Sequence, residues 1–206
     1  MKNLYAIIGK SASLYDVALR VSGYEQSVSF FVSQLPFPEN AKINVLDAGC
    51  GSGLYTLAIL GRYRNARVVA FDTDKGLIDH LQEKLRQGNY TERARVFVGD
   101  ITAELSEIKE NFDLIITAGV LEYVPLTQSI SNLSRFLLPG GYFFNSPLRT
   151  TVWGHVVARL YGCRPYPRKE NLDAFKQEYG LEKIILLPPF RPASFKEGHL
   201  FRRSGS

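Results

Sequence analysis

The chain has 206 residues, 45% hydrophobic and 22% charged, a balance that excludes a disordered, fibrous or membrane-embedded class and allows one core rather than two ordinary domains. The formal charge of +5 is unevenly spread: residues 1–148 carry 14 Lys/Arg against 15 Asp/Glu, and residues 149–206 carry 11 against 5. A basic C-terminal quarter fits either an anionic partner or a solvated face.

The apolar stretch Leu4–Ile8 is broken by Gly9 and Lys10, too short for a signal-peptide core, and no run reaches the roughly 20 apolar residues of a membrane helix. A cytoplasmic protein is expected. Residues 14–35 read as a helical cap that ends at Pro36 and Pro38. From there, short apolar runs alternate with helical patterns. The strands expected are 43–48, 67–71, 95–98, 112–117 and 141–145; the helices are 55–63, 75–87 and 126–137. Near-continuous apolar strands imply a sheet covered on both faces, so this order reads as a doubly wound, mostly parallel α/β sheet. Two late runs, 182–187 and 199–202, are too close for another crossover and suit an antiparallel pair. The expected division is a cap (1–41), a ligand-binding core (42–145), and an acceptor lid with the strand pair (146–206). Cys50 and Cys163 lack any zinc-ligand spacing, and no metal site is expected.

Chemistry gathers at the strand ends. Val45-Leu46-Asp47-Ala48-Gly49-Cys50-Gly51-Ser52-Gly53-Leu54 runs from strand through a glycine turn into a helix, and glycines let a ligand lie against the main chain there. The spacing is G-x-G-x-G; Leu54 stands where a dinucleotide enzyme has its third glycine. Asp72 ends the second strand, placed for a ribose diol, and Asp100 follows the third, an acceptor suited to an exocyclic amine.

Together these motifs resemble the class I, Rossmann-like S-adenosylmethionine-dependent methyltransferases of the small-molecule type, with 112–124 similar to their fourth strand and loop and 137–143 to the turn before their fifth. The matching motifs appear in family order. The resemblance implies a seven-stranded sheet with an antiparallel C-terminal strand, and S-adenosylmethionine as cofactor. It further implies that Gly49 and Gly51, with Cys50 between them, pass under the homocysteine part, and that Asp47 supports its ammonium. Asp72 with Thr73 would hold the ribose, Asp100 and Ile101 would meet the adenine, and Ala118 and Gly119 would lie near the methionine end. Cys50 reads as a small residue that the turn admits, not a nucleophile.

The sulfonium activates the methyl group by itself, so the protein chiefly has to align the acceptor; a hydroxyl or carbon acceptor would gain from a general base. Glu122, Tyr123, Tyr15 and His155 are the candidates. Val152, Trp153, Val156, Val157, Leu160 and Tyr161 form a helical apolar stripe for a lid, an acceptor wall or core packing. Arg149, Arg159, Arg164, Arg168 and Lys169 fall in the same segment and could draw an anionic acceptor. Ala118-Gly119-Val120-Leu121 stands where methyltransferases acting on adenine or glutamine amines carry Asn/Asp-Pro-Pro-aromatic. A small-molecule or lipid-like acceptor, anionic or apolar, is therefore expected over nucleic acid. Two other readings stay open here: a non-catalytic module that keeps the fold, and an NAD-dependent oxidoreductase.

Overall fold

A computed structural model describes residues 23–176, 179–187 and 195–205. The elements are α1 (Tyr24–Ser33), β1 (Asn44–Ala48), α2 (Leu54–Arg62), β2 (Arg67–Asp72), α3 (Lys75–Gln87), β3 (Ala94–Val98), β4 (Phe112–Ala118), α4 (Leu126–Ser134), β5 (Leu137–Ser146), α5 (Val152–Tyr161), α6 (Arg168–Phe175), β6 (Tyr179–Leu186) and β7 (Glu197–Arg203). A 3-10 turn, Leu121–Tyr123, follows β4. The sheet order is β3-β2-β1-β4-β5-β7-β6. The first five strands pair in parallel, while β7 runs antiparallel to both β5 and β6. This is the doubly wound, mostly parallel sheet expected from the alternation of elements, with the seven strands that the resemblance implied.

Strand alternation divides the core between the two faces. Val45, Leu114, Ile116, Phe144 and Leu200 pack toward α1, α2 and α3. Their sequence neighbours Leu46, Ile115, Phe143 and Phe201 pack toward α4 and α6. Successive residues are apolar because each side of the sheet has its own helical cover. On the second face, Phe175 stacks on Phe201 with ring centroids 4.0 Å apart and meets Phe143 edge-on at 4.9 Å, which fixes α6 over the end of the sheet.

Local boundaries follow from identifiable side chains. The Asp74 carboxylate accepts from Gly76 N (2.8 Å) and Leu77 N (3.2 Å) and starts α3, the usual remedy for unpaired first-turn amides. The helix expected over 126–137 stops at Ser134, because Leu137 already pairs with Phe112 as the start of β5. Phe112 pairs with Leu137, but Leu114 pairs with Tyr142, so the turn expected at Pro139-Gly140-Gly141 is a bulge within β5. Gly140 takes φ +74° there. Of the cap expected over 14–35, the part before residue 23 lies outside the described residues.

Candidate active site

The glycine turn after β1 is closed by backbone and carboxylate bonds. Gly49 N and Cys50 N both donate to Phe71 O, at 2.8 and 3.0 Å. Asp72 Oδ2 accepts from Gly51 N at 2.8 Å and Oδ1 from Asp74 N at 3.0 Å, so one carboxylate locks two strand ends together. Gly49 has φ +76°, and a Cβ there would sit 1.9 Å from Val120 Cγ2; only glycine fits between the turn and the loop after β4. Gly51 has φ +54° and nothing within 4 Å of its would-be Cβ. Its bare backbone is instead part of a cavity floor.

That cavity, of about 500 Å³, runs across the C-terminal ends of the parallel strands, a size typical of small-molecule sites. At one end it is lined by Gly49, Gly51, Asp72, Thr73, Asp100 and Ile101, and in the middle by Ala118, Gly119 and Val120. The other end is largely apolar and aromatic: Tyr24, Tyr123, Val124, Leu148, Val157, Tyr161, Cys163 and Phe195, with Lys196. Eight of the ten residues expected around a cofactor thus line one space. Asp47 and Cys50 do not; they border an adjoining recess of about 50 Å³ beside Tyr24, Gly49 and Ala118.

Burial sets the electrostatics. Asp47 is 2% exposed, and its Oδ2 accepts from Thr56 Oγ1 at 2.6 Å. Burial raises its pKa to about 6, although the Thr56 bonds pull the other way. Asp72 is also pushed up by burial, with the Asp74 and Gly51 amides partly offsetting it. The Cys50 thiol is driven well above its usual range by burial and by the Asp47 and Asp72 charges, a poor setting for a nucleophile. Asp100 is exposed, and its Oδ1 takes Thr102 N (2.8 Å) and Oγ1 (2.7 Å) in a tight turn at the cavity edge.

The base candidates separate. Tyr123 lines the cavity. Glu122 is buried behind it: Oε1 accepts from Leu148 N at 2.7 Å and lies 3.8 Å from Lys196 Nζ, and Oε2 has no hydrogen-bond partner among the described residues. His155 is a correction: it is exposed on α5, outside the cavity lining, with Nδ1 2.8 Å from Thr151 O, because two residues along a helix rotate it about 200° away from Val157. Tyr15 lies outside the described residues.

The arginine expectation is corrected too. None of Arg149, Arg159, Arg164, Arg168 and Lys169 lines the cavity. Arg168 binds Glu197, Arg149 Nε lies 3.7 Å from the same carboxylate, Lys169 pairs with Asp173, and Arg164 lies over the Tyr166 ring. Glu197, arriving on β7, draws Arg168 and Arg149 toward a neighbouring pocket. Among the described residues, the cation that does line the cavity is Lys196, which no local motif marks. The stripe on α5 is divided: Val157 and Tyr161 line the cavity, Ala158 is buried, and Val152 and Val156 face solvent at 81% and 43% exposure.

Residues 45–141 match the family described as a methyltransferase domain. That stretch, just under half of the chain, is similar to a methyltransferase domain. The matched stretch begins inside β1 and ends in β5, and so includes the glycine turn and both strand-end aspartates. Over 157 residues, the chain is 24% identical to a malonyl-[acyl-carrier protein] O-methyltransferase of Acetivibrio thermocellus, covering 76% of this chain and 51% of that protein. The chain thus spans about half the length of that curated relative. Among solved structures, it superposes on the pyocyanin biosynthetic protein PhzM with TM-score 0.78 at 17% identity, over 98% of this chain and 62% of that one. It also superposes on geranyl diphosphate C-methyltransferase from Streptomyces coelicolor A3(2), solved with Mg2+, geranyl diphosphate and S-adenosyl-L-homocysteine, with TM-score 0.71 at 16% identity, over 87% and 79%. At these identities, the structural likeness establishes the fold of the methyltransferase domain.

Proposed function

We propose that this chain transfers a methyl group from S-adenosylmethionine to a small-molecule acceptor with a substantial apolar body. The observation that carries the reading is one continuous cavity in which the glycine turn, Asp72 and Asp100 occupy one end and an aromatic chamber the other. The residues present suit the cofactor. Gly51 offers bare backbone, the Asp72 carboxylate faces the place for a ribose, Asp100 and Ile101 suit an adenine, and Asp47 stands close behind the place for an ammonium. When bound, the cofactor supplies an electrophilic methyl carbon. The chain's own residues then bind and orient: Ala118 to Val120 border the midpoint between the two ends, and Val157, Tyr161 and Phe195 help exclude water from the acceptor side.

No helix among the described residues is long and apolar enough to cross a membrane. Cys50 and Cys163 are free thiols, which suits the reducing cytoplasm as the place of action. The relatives' small-molecule and carrier-bound acceptors support the acceptor class without naming this chain's own.

Calorimetry with S-adenosylmethionine, S-adenosylhomocysteine and NAD tests the reading: the first two should bind and NAD should not. Asp72→Ala should weaken S-adenosylhomocysteine by about 1–3 kcal/mol, the cost of removing a buried acceptor shared by the turn and the ligand. NAD binding in place of S-adenosylhomocysteine, or unchanged affinity in the variant, would overturn it.

A further inference from the structure

Lys196 is the one cationic side chain lining the cavity among the described residues, and it stands at the acceptor end. It is only 6% exposed. Its position is built by the sheet: residues 195–197 extend the β5–β7 pairing, with Arg149 N donating to Phe195 O at 2.8 Å and Leu148 bridging to Lys196. The ammonium donates to Ser146 O at 3.0 Å, at the tip of β5. It approaches β4 so closely that a Cβ on Gly119 would lie 2.9 Å from Nζ.

A buried ammonium is costly unless charge and hydrogen bonds compensate it. Among the described residues the compensation is incomplete. The group has three N–H donors, donates to one backbone carbonyl and lies 6.0 Å from the centre of the Tyr24 ring. The carboxylate nearest it, Glu122 Oε1, is beyond hydrogen-bond distance at 3.8 Å and already accepts from Leu148 N. Leu148 and Phe195 beside it offer an ion no side-chain hydrogen bond, and the Tyr24 ring offers only a cation–π contact at 6.0 Å. An anionic oxygen entering from the cavity would complete the ammonium's shell, and the surrounding walls would hold an apolar skeleton.

Resting on the reading above, we propose that Lys196 receives the reacting oxygen of the acceptor as its anion, which makes this chain an O-methyltransferase for an ionisable oxygen, phenolic or carboxylic, on an apolar body. The acceptor enters having given its proton to solvent. Its oxygen lone pair forms the O–CH3 bond as the S–CH3 bond breaks, the latter pair going to sulfur, so a neutral ether or ester leaves beside a neutral thioether. Ion pairing with Lys196 keeps the oxygen ionised in a dry chamber and holds it beside the tip of β4. Burial lowers the amine's pKa, against the pull of Glu122, and an added anion would oppose that shift.

The test is calorimetry on the S-adenosylhomocysteine-loaded protein with two anions, 4-nitrophenolate and octanoate, each against a neutral counterpart, nitrobenzene and octanamide. At least one anion should bind tenfold or more tightly than its counterpart. A preference for 4-nitrophenolate alone assigns a phenolic acceptor, and one for octanoate alone a carboxylic one. The preference should vanish in Lys196→Met and persist in Glu122→Gln. The double variant K196M/E122Q, which leaves no unpaired buried carboxylate, should behave as K196M does and carries the comparison if the single variant folds poorly. S-adenosylhomocysteine affinity should stay within about threefold throughout. Equal binding of anions and neutral probes in the wild type would overturn the proposal. So would an anion preference that survives in K196M and in the double variant, since Lys196 would then serve only the Glu122 pair. Failure of the wild type to bind S-adenosylhomocysteine would instead overturn the underlying methyltransferase reading.

Discussion

Asp47 carries a cost that reads out as pH dependence. Its folded pKa of about 6 lies above the ordinary 3.8 because the carboxylate is buried. The native state therefore holds the proton more tightly than the unfolded chain, and stability falls as pH rises from about 4 to 6, the whole penalty being present above 6. Asp47→Asn keeps an acceptor for the Thr56 hydroxyl and removes the charge. It should be more stable than wild type by about 2–3 kcal/mol at pH 7.5, with the advantage gone near pH 4, as thermal unfolding at the two pH values would show. The two glycines on either side of Cys50 should part ways. Gly49→Ala meets both a left-handed backbone and Val120 Cγ2 at 1.9 Å, and should cost about 2–4 kcal/mol of stability. Gly51→Ala has the strain without the clash, and should cost only about 1–2 kcal/mol, while its methyl group, entering the cavity, lowers S-adenosylhomocysteine affinity tenfold or more. Denaturant unfolding and calorimetry separate the two effects.

At the scale of elements, β7 connects the sheet to the segment over the acceptor end. Glu197 begins that strand nearly buried, accepting from His199 Nε2 at 2.8 Å and from Arg168 Nε at 2.9 Å. Burial alone would raise its pKa, but these donors outweigh it and hold the carboxyl at about 2 instead of 4.5. A depressed acid stabilises the fold above its unfolded pKa and loses that contribution as pH falls through its folded one. About 2–3 kcal/mol should therefore disappear between pH 4.5 and 2, and Glu197→Gln should lack that part of the acid limb. Arg168→Gln removes the link from α6 to β7 and should cost about 1–2 kcal/mol. Because Arg168 stands outside the cavity, the variant should leave the acceptor's KM unchanged.

For the whole molecule, the cavity joins residues from α1, the turn after β1, β2, the end of β4, the segment after β5 and α5, so a ligand filling it should resist global unfolding. S-adenosylhomocysteine at 100 times its Kd should add about 2.7 kcal/mol, a rise in Tm of about 5–10 °C for a chain of this size. Much of this architecture was legible in the sequence. The order and kind of the elements, the glycine turn at Gly49 and Gly51, and the carboxylates Asp72 and Asp100 at strand ends are local patterns, set by side-chain alternation, backbone freedom and the place where a strand stops. The placing of charge around the acceptor end was not legible. Lys196 reaches Ser146 and nears Glu122 only because β7 lies antiparallel to β5, and the five basic residues that looked suited to an acceptor stand outside the cavity, Arg168 and Arg149 drawn toward Glu197. Which cation faces the cavity depends on the register between strands far apart in the chain, and register is settled by the packing of both faces at once, a property that no single stretch of sequence contains.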